Sequence, residues 1–286
     1  MPTVTAEIGI NHAGSARTAT LMIDAAASCG ATHVKFQKRS APYGLTPTEF
    51  EAPHPNPEHA FGPTYGAHRQ ALEFSIDDHQ ALALHALSKG LKYACSVWDP
   101  TALIELLSIG DYLDYIKIPS AHNTNFKLID DLYDRWPGPV RISLGMTTEE
   151  DRREIVDHYS EHWDRTTLMI CTSAYPCDFR DICLGDIAEL YGEWDGDIGF
   201  SGHHRGIAID IAAYAIGADH IERHFTLDRT SKGSDHAASL EPSGLTKLCR
   251  DLEAVKQALH VSPVDLKTCE IPCFNKLKWD RSQREA

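Results

Sequence analysis

Short β-branched runs alternate along the chain with longer stretches of helical periodicity, the pattern of repeated strand and helix units around a parallel sheet. Strands are expected at Thr3–Ile8, His33–Gln37, Lys92–Val97, Tyr115–Ile118, Val140–Leu144, Thr167–Cys171, Asp197–Ser201 and His220–Phe225. Each is followed by a helical segment. In Ala16–Ser28 the apolar positions are Leu21, Ile23, Ala25, Ala26 and Ala27, and Ile207–Ile216 is an almost unbroken run of Ala and Ile. Eight such units predict an α/β fold of the closed (β/α)8 TIM-barrel type rather than an open doubly wound sheet.

Two stretches break the pattern. After the second strand, residues 40–73 are rich in Pro, His and Gly and read as a long structureless loop. It leaves the carboxyl end of a barrel strand, where barrel active sites lie, so it is expected to act as a lid or an oligomer contact. The barrel domain is assigned to residues 1–260, and residues 261–286 form a short tail expected to pack on the barrel or on a neighbouring subunit.

The net charge of −14 argues against nucleic acid as a partner, yet it leaves room for a small anionic substrate met by a few buried cations. The N-terminal MPTVTAEIGI lacks the features of a secretory leader, and no apolar run reaches membrane-span length, so a cytoplasmic protein with no membrane partner is expected. The eight cysteines are scattered, without a C-x2-C pair, and most are expected to be reduced.

In a barrel, the last residues of each strand and the loops after them converge on one mouth. The polar residues of this sequence concentrate there. The first strand ends in Glu7, Asn11 and His12, the second in Lys35, Gln37 and Lys38, and the third in Ser96 and Asp99. The fourth supplies Lys117, Ser120 and His122, the sixth Ser173 and Tyr175, the seventh Ser201 and His203, and the eighth Glu222 and His224. Asp235 and His236 follow in the last loop, and Tyr65, His68 and Arg69 are placed to touch a ligand from above. Otherwise His54, His59 and His68 read as exposed polar residues of the long loop.

Lys35 and Lys117 lie inside otherwise apolar strands, where an unpaired ammonium is costly to bury. They either pair with Glu7 or Glu222, or join Ser96, Ser120 and Ser201 in holding phosphate and carboxylate groups. His203 and His224 occupy corresponding positions of adjacent strands, so both imidazoles can reach one divalent metal, and an ordinary hydrogen-bonding role is the alternative. His204, one residue further on, faces the opposite way.

The ordered motifs AEIGINHAG (6–14), VKFQKR (34–39), TYGAHRQALEFS (64–75), YIKIPSA (115–121), CTSAYP (171–176), GFSGHH (199–204), GADHIERHFTLDR (217–229) and GSDHAASLEP (233–242) resemble the N-acetylneuraminate (sialic acid) synthase family, with its pseudaminic and legionaminic acid relatives. The resemblance implies a transferase that condenses phosphoenolpyruvate with an open-chain aldose, N-acetylmannosamine or a related sugar; a homodimer is expected only as the commonest assembly of soluble enzymes. The resemblance also implies that His203 and His224 bind Mn2+, or Mg2+, and that Lys35, Ser96, Lys117, Ser120, Ser173 and Ser201 surround phosphoenolpyruvate. Glu7, Gln37, Tyr175 and Asp235 would face the sugar, the metal-bound water or the reacting carbons, with Glu7 orienting the attacking water.

The chain departs from the family at Gly202, where Asp is common, at His122, where an acid is common, at Ser173 for Asn and at Ser96 for Thr. It also ends without the C-terminal antifreeze-like domain, which in the family places an Arg over the N-acyl group across a dimer. Either the 40–73 segment or the tail residues Lys276, Lys278 and Arg281 is therefore expected to substitute, or the acceptor differs. The competing expectations are another metal-dependent barrel synthase or aldolase for shorter 3-deoxy sugar acids, and a non-catalytic sugar-phosphate binding protein.

Overall fold

In the computed structural model, which describes residues 2–262 and 265–279, strands β1 (Thr3–Gly9), β2 (His33–Lys38), β3 (Lys92–Val97), β4 (Leu113–Ile118), β5 (Val140–Ser143), β6 (Thr166–Cys171), β7 (Ile198–Gly202) and β8 (His220–His224) pair in parallel in that order. β8 returns to β1 and closes the barrel. The helices are α1 (Ala16–Ser28), α2 (Pro47–Glu51), α3 (Tyr65–Leu72), α4 (Ile76–Ser88), α5 (Pro100–Leu107), α6 (Phe126–Arg135), α7 (Glu149–Tyr159), α8 (Gly185–Leu190), α9 (Ala208–Ala215), α10 (Pro242–Ala258) and α11 (Ile271–Leu277). Among the described residues no helix is long and apolar enough to cross a membrane, and all the cysteines are free.

Strand alternation separates packing from chemistry. Val4, Ala6 and Ile8 of β1 and Val34 and Phe36 of β2 are buried in the apolar layer beneath the helices, which leaves Thr5, Glu7, Lys35 and Gln37 on the lumen face. The register then sets Glu7 beside both Lys35 and His224, Ser96 beside Lys117, and Ser201 beside Glu222. Several mouth residues serve the frame instead. Asp99 caps α5 through Ala102 N and accepts from Ser40 N and Oγ, Lys38 pairs with Glu105, and Asn11 donates to the Phe225 carbonyl and Ser239 Oγ. His12 stacks on Phe74, and His236 bonds Thr226 Oγ1.

The 40–73 stretch is not structureless. Thr46 and Glu49 form a reciprocal capping box that starts α2 at Pro47, and Thr64 caps α3. The excursion closes on itself at its base, where Glu73 accepts from Arg39 N and ion-pairs Arg39 Nε at 3.3 Å. His68 is buried and His54 and His59 are half-buried; the rings of His54 and His68 pack with each other and with Tyr65, and His68 also meets Phe61. At the other end, residues 265–279 are exposed throughout, including Ile271, Phe274 and Leu277, so this segment is not buried against its own barrel. Arg281 lies outside the described residues.

His79 of α4 shows how the outer layer responds to acid. It lies edge-on to Phe36 and Phe74, its Nδ1 is 2.7 Å from the Tyr93 hydroxyl, and its Nε2 is buried without a hydrogen-bond partner. Burial pushes the imidazole down to about 3, so it is neutral in the fold and protonated in the unfolded chain below its ordinary 6.5. The linked stability is complete above that ordinary value and is lost as pH falls toward the folded one. In His79→Gln the acid limb of stability, measured by chemical denaturation between about pH 6 and pH 4, should be shallower by up to about 1.4 kcal/mol per pH unit. An unchanged slope would remove His79 from the acid response.

Candidate active site

A cavity of 410 Å³ opens at the carboxyl ends of the strands. Its floor is a buried quartet. Lys35 Nζ lies 2.5 Å from Glu7 Oε2, 2.8 Å from Ser96 Oγ and 3.7 Å from Glu222 Oε1. Lys117 Nζ lies 2.6 Å from Glu222 Oε1, which also accepts from Ser201 Oγ at 3.1 Å. Of the two expectations for the strand lysines, pairing is thus observed, and the same lysines still line the cavity with Ser96, Ser120 and Ser201.

The two carboxylates diverge in character. Burial pushes Glu7 up to about 7, against the opposing pull of Lys35, so it can accept and return a proton near neutrality. Burial also pushes Glu222 up, but Lys117 and Lys35 together outweigh that and hold it below the ordinary carboxylate range. Desolvation lowers Lys117 in spite of Glu222, whereas Glu222 and Glu7 overcome the burial of Lys35 and raise it. Glu222 is therefore the permanent anion of the floor and Glu7 the titrating one.

On one wall the His203 and His224 rings lie with centroids 5.4 Å apart, and the Tyr175 ring is 4.2 Å from that of His203. His203 Nδ1 donates to the Thr172 carbonyl at 2.7 Å, which leaves its Nε2 with a free lone pair. His224 Nδ1 is buried without a hydrogen-bond partner, 3.8 Å from Asp235 Oδ2. Burial pushes both imidazoles down to about 3, so both are neutral and ready to ligate at physiological pH. Among the described residues no group of three or more His, Cys, Asp or Glu side chains is arranged to hold an ion. The pair fits a divalent metal whose other ligands are water or substrate. His204 turns outward into a buried cluster with Asp210 and Arg223, as the strand alternation requires.

At the ends of β4 and β6, hydroxyls converge on a glycine. A Cβ built on Gly145 would stand 2.5 Å from Ser173 Oγ, 2.7 Å from Ser120 Oγ and 2.8 Å from Cys171 Sγ. Ser173 Oγ is buried with no hydrogen-bond partner, a donor aimed at something the protein does not supply. The missing side chain at 145 is what lets these groups share one shelf.

Gln37, Tyr65, Tyr175 and Asp235 also line the cavity. Arg69 does not. Its Nη1 donates to the Ala41 and Tyr43 carbonyls and its guanidinium stacks 5.0 Å over the Tyr65 ring, so it braces Tyr65 instead of reaching a ligand. Nor do Lys276 and Lys278 reach the lining. Sequence reasoning placed Glu222 at the mouth and offered it as a partner for the lysines but gave it no site role, and it left out Ser143, Arg39 and Trp98. Arg39 stacks on Trp98 at 5.2 Å while held by Glu73.

A family profile described as the NeuB family matches residues 22–262. The N-acetylneuraminate-9-phosphate synthase of Homo sapiens is 37% identical over 275 residues, covering 96% of this chain and 76% of the human one. An N,N'-diacetyllegionaminic acid synthase of Campylobacter jejuni is 32% identical, covering 90% and 77%. Among solved structures, an N-acetylneuraminic acid synthetase from Leptospira borgpetersenii superposes with a TM-score of 0.81 at 28% identity, covering 98% of this chain and 93% of that one. A 3-deoxy-D-arabino-heptulosonate 7-phosphate synthase from Thermotoga maritima shares the fold, with a TM-score of 0.67 at 15% identity, covering 90% and 87%. Barrel, mouth and relatives agree: the chain belongs to the NeuB family of sugar-acid synthases.

Proposed function

We propose that this enzyme condenses phosphoenolpyruvate with an open-chain aldose, N-acetylmannosamine or its 6-phosphate being the favoured acceptors, to give a nonulosonic 2-keto-3-deoxy sugar acid and phosphate. The observation that carries this reading is the convergence of the lysine and glutamate floor, the hydroxyl shelf and a neutral histidine pair in one cavity. The choice of acceptor follows the name of the human relative, whose product is a 9-phosphate.

Lys35 and Lys117, with Ser96 and Ser201, suit the carboxylate and phosphate of phosphoenolpyruvate, and Ser120 and Ser173 suit the phosphate oxygens. The mouth aligns the enol carbon with the aldehyde carbon, where most of the rate gain arises. As that C–C bond forms, positive charge develops at the former enol carbon over the Glu222 and Glu7 carboxylates. Water adds there, with Glu7 taking its proton, and phosphate departs by C–O cleavage. A divalent ion, Mn2+ or Mg2+, held by His203 and His224 would supply Lewis acidity toward the aldehyde oxygen.

With Mn2+ present, the purified protein should release phosphate from phosphoenolpyruvate only when an accepted aldose is added. In oxygen-labelled water the label should enter the product hemiketal and not the phosphate. Turnover with pyruvate in place of phosphoenolpyruvate would mark an aldolase instead. Tight binding of phosphoenolpyruvate without consumption, across mannose, N-acetylmannosamine, their 6-phosphates and diacetamido sugars, would mark a binding protein.

A further inference from the structure

A third cation stands in the barrel lumen beneath the quartet. Arg141 of β5 is the register partner of Lys117, is 4% exposed, and precedes by two residues Ser143, which lines the cavity. Its side chain therefore enters the lumen one layer below the site. The guanidinium lies 3.7 Å over the Tyr115 ring, and donates to His220 Nδ1 at 3.0 Å and Thr5 Oγ1 at 3.4 Å.

These partners carry no negative charge. Burial pushes the Tyr115 phenol up to about 12 and lowers His220, so both are neutral at physiological pH. Among the described residues no carboxylate lies within ion-pair distance of Arg141, and the acid it reaches in relay is Asp197, 3.2 Å beyond His220 Nε2 and largely in water. Above it, Lys35 and Lys117 are matched by Glu7 and Glu222. A permanently charged guanidinium held in the lumen with π and neutral hydrogen-bond partners thus adds a positive charge that no carboxylate contacts, behind a floor whose Glu7 titrates near neutrality, with Glu222 and Asp197 feeling it only at longer range. Packed side chains leave little solvent between the layers to screen it.

We propose that Arg141 is an electrostatic positioning residue that touches no substrate atom and gives the mouth its surplus positive field, raising its affinity for the multiply charged anion phosphoenolpyruvate. This rests on the phosphoenolpyruvate reading above. At an effective dielectric of about 20, two unit charges on the order of 10 Å apart interact strongly enough to change affinity roughly tenfold.

The test is calorimetric binding of phosphoenolpyruvate to the parent protein and to Arg141→Gln and Arg141→Lys, each with and without Mn2+, alongside steady-state kinetics and thermal melts. Arg141→Gln keeps donors for Thr5 and His220 but loses the charge. Its Kd and KM for phosphoenolpyruvate should rise about tenfold, with kcat and the aldose KM within about twofold of the parent. Arg141→Lys should stay within about threefold, since it restores the charge without the stack. Arg141→Met repeats the neutral substitution should the Gln variant fail to fold. Parent-like affinity in the neutral variants, or an equal loss in a well-folded Arg141→Lys, overturns the proposal while leaving the proposed function standing. A parent protein that binds no phosphoenolpyruvate overturns both.

Discussion

Glu222→Ala is expected to lower stability by about 3–5 kcal/mol, or about 10 °C in Tm, and to make that stability depend on added anion. Among the described residues Glu222 is the only carboxylate touching Lys117, and it is shared with Lys35 and Ser201. Its removal leaves an ammonium in a dry lumen with nothing to balance it, and part of the cost should appear as proton loss from Lys117, which burial already lowers. A phosphate or phosphoenolpyruvate molecule in the mouth would meet the freed charge, so millimolar phosphoenolpyruvate should raise the Tm of the variant by more than that of the parent. Paired melts with and without phosphoenolpyruvate decide this. A variant that melts with the parent and gains no more from the anion would mean that the floor charges are not coupled as their distances indicate.

For the histidine pair the expected effect lies in chemistry rather than stability. His203→Ala and His224→Ala should each lower turnover by at least about a thousandfold and abolish tight Mn2+ binding, with far-UV dichroism unchanged. Both rings line the cavity and neither supplies a hydrogen bond that the core depends on. His203 gives one to the Thr172 carbonyl, and His224 Nδ1 has no hydrogen-bond partner. Retained turnover in rigorously chelated buffer would sink the metal assignment while leaving the anion site intact.

The barrel was legible because its signal is periodic and repeated. Lys92–Val97 and Ala16–Ser28 carry the boundaries expected from the sequence, and the other strands differ by a residue or two at their ends. Residues on the lumen face were legible for the same reason: strand alternation by itself puts Glu7, Lys35 and Lys117 on one surface. Side chains in the loops obeyed no such rule. Asp99 reads as a mouth acid until its capping of α5 is visible, and Arg69 reads as a ligand contact until the Ala41 and Tyr43 carbonyls are seen to occupy it. The helices of the excursion were within reach, since Thr46, Pro47 and Glu49 spell a capping box, but the dominance of Pro and Gly around them masked it. Glu222 was underrated because its importance lies in serving two lysines at once, a three-body fact absent from spacing.

The clasp of Arg39 with Glu73 has a consequence for how acceptor choice can diversify. Because the two ends of the excursion meet at the Arg39–Glu73 ion pair, with Ser40 held on Asp99 beside it, the stretch between them can be exchanged with little tension passed to β2 or α4. The segment is in that sense a cassette. Tyr65, His54 and His68 ride on it above a floor that stays fixed, so grafting the corresponding stretch from a relative with another acceptor should transfer preference for the sugar while leaving the handling of phosphoenolpyruvate untouched.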